Sequence, residues 1–61
     1  MDLTEFNQRK KLVEDTINDN ARRMKESLDL FPDSERKTEW LTWIEDGRKE
    51  NLRRFKELTT L

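Results

Sequence analysis

Apolar residues in the first half of the chain recur at the spacing of an amphipathic helix. On a helical wheel, one narrow stripe lies within about 40° of Ile17. The stripe consists of Leu3, Phe6, Lys10, Val13, Ile17, Ala21, Met24 and Leu28. Asp2, followed three residues later by Glu5, has the pattern of an N-terminal cap. These positions predict a first helix from about residue 3 to residue 29.

A break in the pattern separates this helix from a second one. Pro32 disfavours helical backbone at Phe31, and Asp33 or Ser34 is suited to cap the helix that follows. We expect a turn over residues 30–33 and a second helix from about residue 34 to residue 59. Its stripe lies within about 80° of Ile44 and contains more polar residues than the stripe of the first helix. The stripe contains Lys37, Trp40, Leu41, Ile44, Arg48, Asn51, Leu52, Phe55, Leu58 and Thr59.

Two helices of equal length joined by a short turn predict an all-α antiparallel hairpin as a single domain. One antiparallel register places Ile17 opposite Ile44. The same register places the small Ala21 opposite the large Trp40. The only glycine, Gly47, leaves an alternative open, because Asp46 and Gly47 are suited to end a helix. The chain would then form a three-helix bundle broken at Gly47.

The composition limits how large a core the hairpin can build. The 61 residues are 31% hydrophobic and 44% charged, so a monomer of this size is expected to be marginally stable. Pairing of two hairpins into a four-helix bundle would cover the remaining apolar surface, and we expect a homodimer. The residues expected in the core or dimer interface are Phe6, Val13, Ile17, Ala21, Met24, Leu28, Leu41, Ile44, Leu52, Phe55 and Leu58.

The chain has neither cysteine nor histidine, which removes thiol nucleophiles, disulfides and the commonest general base and metal ligand. Its acidic residues alternate with Lys and Arg, a pattern typical of solvated ion pairs. We therefore expect no enzyme, no metal and no cofactor. The lack of cysteine suits the cytoplasm, and no apolar segment predicts an export signal or a membrane span.

The two tryptophans suggest a surface for a protein partner. Trp43 falls about 100° from the stripe of the second helix, on the same side as Arg36, Gly47 and Arg54. Aromatic and arginine side chains dominate interaction hot spots. With Trp40 added, this patch predicts a small regulator or inhibitor that occludes a partner's surface. Packing of Trp43 in a dimer interface is the competing interpretation.

Charge gives a second hypothesis. The net charge is −1, but residues 47–61 carry five basic and two acidic residues, a net of +3. The basic residues of this segment, Arg48, Lys49, Arg53, Arg54 and Lys56, would suit a nucleic-acid-binding hairpin dimer. They also suit the dipole of one long helix, whose C-terminal end favours positive charge. A third possibility is a module that only oligomerises.

Overall fold

The computed structural model describes residues 1–60 and shows two helices packed against each other. Helix α1 spans Leu3–Leu28 and helix α2 spans Glu35–Thr59. This confirms the prediction of an all-α helical hairpin. Because α2 runs through Gly47 without a positive φ angle in the described residues, the alternative of a three-helix bundle broken at Gly47 is wrong.

Side-chain caps fix where both helices begin. The Asp2 carboxylate accepts a hydrogen bond from the Glu5 backbone N–H at 2.7 Å, and the Ser34 hydroxyl accepts one from the Lys37 N–H at 3.0 Å. These bonds satisfy donors that have no partner inside the helix. Asp33, the other candidate cap, instead accepts a bond from the Lys37 ammonium at 3.1 Å.

The turn is fastened by the second helix. Lys37 Nζ donates to the Phe31 carbonyl oxygen at 2.9 Å, while the Phe31 N–H donates to the Leu28 carbonyl at 3.0 Å. Because the same ammonium group also bonds Asp33, it contacts the residues on both sides of Pro32. Leu30, which immediately precedes Phe31 in the turn, is 88% exposed.

The two helices form a single flat layer, with Cα extents of 48 × 18 × 8 Å. Among the described residues only Ala21 and Ile44 are buried, at 5% and 4% exposure. Other apolar side chains of the predicted core, including Val13, Met24 and Leu58, are exposed. A single hairpin thus buries a much smaller core than the sequence pattern would allow.

The register differs from the one expected. Ala21 and Ile44 line one hollow between the helices, whereas Trp40 lies beside Leu28 and Phe31, nearer the turn. The predicted pairing of Ala21 with Trp40 is therefore wrong. The physical reason is packing: a small alanine lets α2 approach closely, and Ile44 fills that space better than an indole would.

Candidate protein-binding surface

Trp40 and Trp43 form an aromatic pair on the surface of α2. Their ring centroids are 5.2 Å apart and their planes meet at 79°, an edge-to-face arrangement. Such pairs attract through the positive edge of one ring and the negative face of the other. Trp40 is nonetheless 54% exposed and Trp43 62% exposed. The pair therefore presents large apolar rings to solvent in an edge-to-face arrangement.

An open hollow of about 330 Å³ lies beside these rings, between the end of α1 and the start of α2, and we name it the tryptophan hollow. Its lining is almost wholly apolar, because the only charged residue in it is Arg23. The lining residues are Arg23, Met24, Ser27, Leu28, Phe31, Trp40, Trp43 and Ile44. A concave, mainly apolar surface with a few polar groups, here Arg23 and Ser27, has the composition of a binding site.

A second hollow of about 390 Å³ adjoins the turn and shares Trp40, Phe31 and Leu28 with the first. We name it the turn hollow. Arg36 and Lys37 supply its charge. The shared residues make the two hollows neighbours on one apolar surface. Arg36 and Trp40 thus line the turn hollow together, whereas Trp43 lines the tryptophan hollow.

Gly47 lies in a smaller hollow of about 210 Å³ with Trp43, Asn20 and Asn51. A Cβ atom at Gly47 would meet nothing within 4 Å. Close packing between the two helices therefore does not explain the glycine. Gly47 and Trp43 thus line the same open hollow.

The arginines of the chain differ in whether they form ion pairs. In the described part of the chain, every arginine except Arg23 and Arg36 forms an ion pair with a carboxylate. Arg54, which the sequence placed in the patch, pairs with Glu50 at 3.0 Å. Arg23 was missed, because a wheel drawn for one helix does not show which residues of the other helix lie beside it. The antiparallel turn, which brings the end of α1 to the start of α2, was the available signal.

A polar cluster on Glu45 joins the helices. Glu45 accepts bonds from Arg48 on its own helix and from Lys25 of α1, whose Nζ lies 2.6 Å from Oε2. Arg48 also reaches Asn18 of α1 at 3.1 Å. The hydrogen bonds of Arg48 and then Lys25 lower the pKa of Glu45 to about 2, and the bond to Glu45 raises the pKa of Arg48.

The remaining basic residues of α2 form a similar cluster on one helix. Arg53 and Arg54 both donate to Glu50, and Arg53 also pairs with Glu57 at 2.6 Å. Hydrogen bonds from Arg53 and Arg54 lower the pKa of Glu50 to about 2, and Glu50 raises the pKa of Arg53. Of the predicted polyanion-binding residues, Arg48, Arg53 and Arg54 thus already contact carboxylates. Lys49 and Lys56 form no ion pair with residues 1–60.

Three further observations bear on other kinds of site. Residues 1–60 contain no group of three acidic side chains placed to hold a metal ion. Neither α1 nor α2 combines the length and the apolar character needed to cross a membrane. Comparisons with protein-family models, with curated proteins and with solved structures gave no match to this chain.

Proposed function

We propose that the chain is a small regulator or inhibitor that acts by contact, without catalysis, in the cytoplasm. Its binding surface is the tryptophan hollow with Trp40, Trp43, Arg23 and Arg36 around it. The observation that carries the proposal is the exposed edge-to-face tryptophan pair beside an apolar hollow. The partner would bind this face with its own working surface, and the chain would thereby cover that surface.

The energetics of protein interfaces support this choice of surface. Tryptophan and arginine are the residues most enriched among binding hot spots, and they act best in pockets that exclude water. A partner seated in the hollow would exclude water from it, since Met24, Leu28 and Phe31 provide apolar walls. Burying two half-exposed indoles would stabilise a complex by roughly 25 cal/mol for each Å² of apolar surface removed from water.

We also propose that the hairpin is a homodimer, joined away from the tryptophans. A layer only 8 Å deep in its Cα atoms leaves both faces of the hairpin open. Leu3 and Leu58 near the free ends of the helices, and Val13 further along α1, are exposed apolar residues at stripe positions. Covering them with a second copy would form the four-helix bundle and leave the turn end free for a partner.

Nucleic-acid binding is less well supported as a function. A phosphate backbone needs cations that are free to contact it. Arg48, Arg53 and Arg54 instead donate to Glu45, Glu50 and Glu57, which leaves Lys49 and Lys56 as the basic residues of this segment without an ion pair to residues 1–60. The module that only oligomerises does not use the exposed tryptophan pair unless that pair lies in the dimer interface.

The experiment that tests the proposal is affinity capture from the source cell with the wild-type chain and two variants. Trp43→Ala removes the patch residue, and Leu12→Ala removes an equally exposed leucine that lies outside the hollows described above. We expect a defined partner to be captured by the wild type and by Leu12→Ala, and to be lost with Trp43→Ala.

Light scattering on the same three proteins separates partner binding from dimerisation. We expect a mass near twice 7.5 kDa for all three, because the proposed dimer does not use Trp43. Loss of the dimer in Trp43→Ala alone would place the tryptophan in the interface between copies and overturn the proposed surface. Capture that depends on Arg53 and Arg54, and that weakens steeply with salt, would favour nucleic acid.

A further inference from the structure

The unpaired arginines coincide with the exposed tryptophans. Arg23 and Arg36 are the arginines of residues 1–60 without a carboxylate partner, and each lines a hollow that also contains Trp40. The adjacent Arg22 provides a contrast, because it pairs with Asp19 at 2.9 Å and lies outside both linings. Elsewhere in the hairpin, arginines are neutralised by the chain itself.

Two other charged residues lie at this surface. Lys37, in the turn hollow, is a cation whose ammonium group is already bonded to Asp33 and to the Phe31 carbonyl. Glu39 lies beside the tryptophans, yet it forms no ion pair with residues 1–60. An apolar surface flanked by two guanidinium groups is therefore complementary to a ligand that is apolar at its centre and anionic at its edges.

A second copy of the chain is a poor occupant of this surface. In a symmetric dimer the same patch is contributed by both subunits. Such a pairing would bring the unpaired Arg23 and Arg36 of both copies into one interface, against one Glu39 from each. Like charges in an interface oppose association and favour a different partner.

We infer that the tryptophan and turn hollows bind a segment of a partner protein in which a bulky apolar side chain is flanked by carboxylates. This inference rests on the proposed function and names the chemistry of its partner. The apolar side chain would fill the tryptophan hollow against Met24 and Leu28. The carboxylates would then pair with Arg23 on α1 and Arg36 on α2, fixing the direction of the segment.

The test selects ligands from a library of random short peptides displayed against the full chain, with prior depletion of the library on Trp43→Ala. Selected peptides without tryptophan are synthesised and titrated into the wild type. Because the chain contains two tryptophans and both lie at this surface, its intrinsic fluorescence reports on the site.

We expect the selected peptides to carry Leu, Phe or Met next to Asp or Glu. Replacement of the peptide carboxylates by amides, or Arg23→Gln or Arg36→Gln in the chain, should weaken binding about fivefold each, as for an exposed ion pair. Arg22→Gln is the matched control and should leave the affinity unchanged. Circular dichroism checks that every variant melts as the wild type does.

Each contrary result overturns a different statement. Selected peptides that are apolar but carry no carboxylates, or equal losses for Arg22→Gln and Arg23→Gln, would overturn the inferred chemistry and leave the proposed protein-binding surface standing. Failure to enrich any peptide relative to Trp43→Ala would overturn the inference that a linear segment binds here. Tryptophans shielded from acrylamide in a dimer without peptide would overturn both the inference and the proposed surface.

Discussion

Lys25 of α1 donates a hydrogen bond across the helix interface to Glu45 of α2, with Nζ 2.6 Å from Oε2. Together with Arg48, which bonds Glu45 and Asn18, this contact ties the middle of α2 to α1 just beside the buried Ile44. The interface of this hairpin is thus held by a polar cluster as well as by its small apolar core.

The polar cluster predicts sensitivity to acid. The pKa of Glu45 is lowered from 4.5 to about 2 in the folded chain, chiefly by Arg48 and then by Lys25. A lowered folded-state pKa stabilises the fold above the unfolded value, and that stabilisation is lost as the pH falls toward the folded value. We expect the melting temperature, followed by circular dichroism, to fall between about pH 4.5 and pH 2.

The variant Glu45→Gln tests whether Glu45 causes the loss of stability in acid. It should melt at a lower temperature than the wild type at pH 7 and lose less of its stability on acidification. Glu50 has a similarly low pKa but bonds only within α2, so Glu50→Gln should leave the contribution from Glu45 in place. Identical pH profiles for the wild type and Glu45→Gln would contradict the prediction.

The small core predicts one unusually damaging substitution. Ile44 is the larger of the two buried residues, so Ile44→Ala leaves a cavity in the small core. We expect a loss of about 2 to 4 kcal/mol in the free energy of unfolding, enough to unfold a marginal domain. Leu12→Ala, on an exposed leucine, should change it by less than about 0.5 kcal/mol. Equal losses in urea denaturation would show that Leu12 is buried in solution, as in a dimer.

Much of this fold is predictable because it depends on local signals. The spacing of Phe6, Ile17 and Leu28 predicts α1, and the capping residues Asp2 and Ser34 lie immediately before the observed helices. Pro32 and the short turn then require the chain to fold back. These features depend on neighbours within a few residues, which helical geometry relates directly to sequence.

The composition of the candidate surface was only partly predictable. Trp43 stood out because it lies off the stripe, and Arg36 lines the turn hollow with Trp40 rather than with Trp43. Arg23 and Phe31 depend on how α1 docks against α2, which no single-helix pattern contains. Arg54 lies on the correct side of the wheel, but its spacing from Glu50 favours an ion pair within the helix.

Lys37 gives a prediction about the turn. Its ammonium group bonds the Phe31 carbonyl at 2.9 Å and Asp33 at 3.1 Å, while its stem is largely buried. Lys37→Met keeps a stem of similar size and removes the donor, so we expect a loss of about 1 kcal/mol in urea denaturation. Lys49→Met, at an exposed position of the same helix, is the control. A loss no greater than that of the control would mean that the turn holds without this ammonium group.

Substitution of Gly47 should change the stability of the chain and its binding to the partner in opposite directions. Inside a helix glycine is less stable than alanine by about 1 kcal/mol, and a Cβ at this position meets nothing within 4 Å. Gly47→Ala should therefore raise the melting temperature by about 4 to 8 °C. The added methyl group also narrows the hollow of about 210 Å³ beside Trp43, so capture of the partner should weaken. Thr42→Ala, on the opposite side of α2, should stabilise the helix without that loss. If Gly47→Ala gains stability and binds the partner as the wild type does, the glycine lies outside the binding surface.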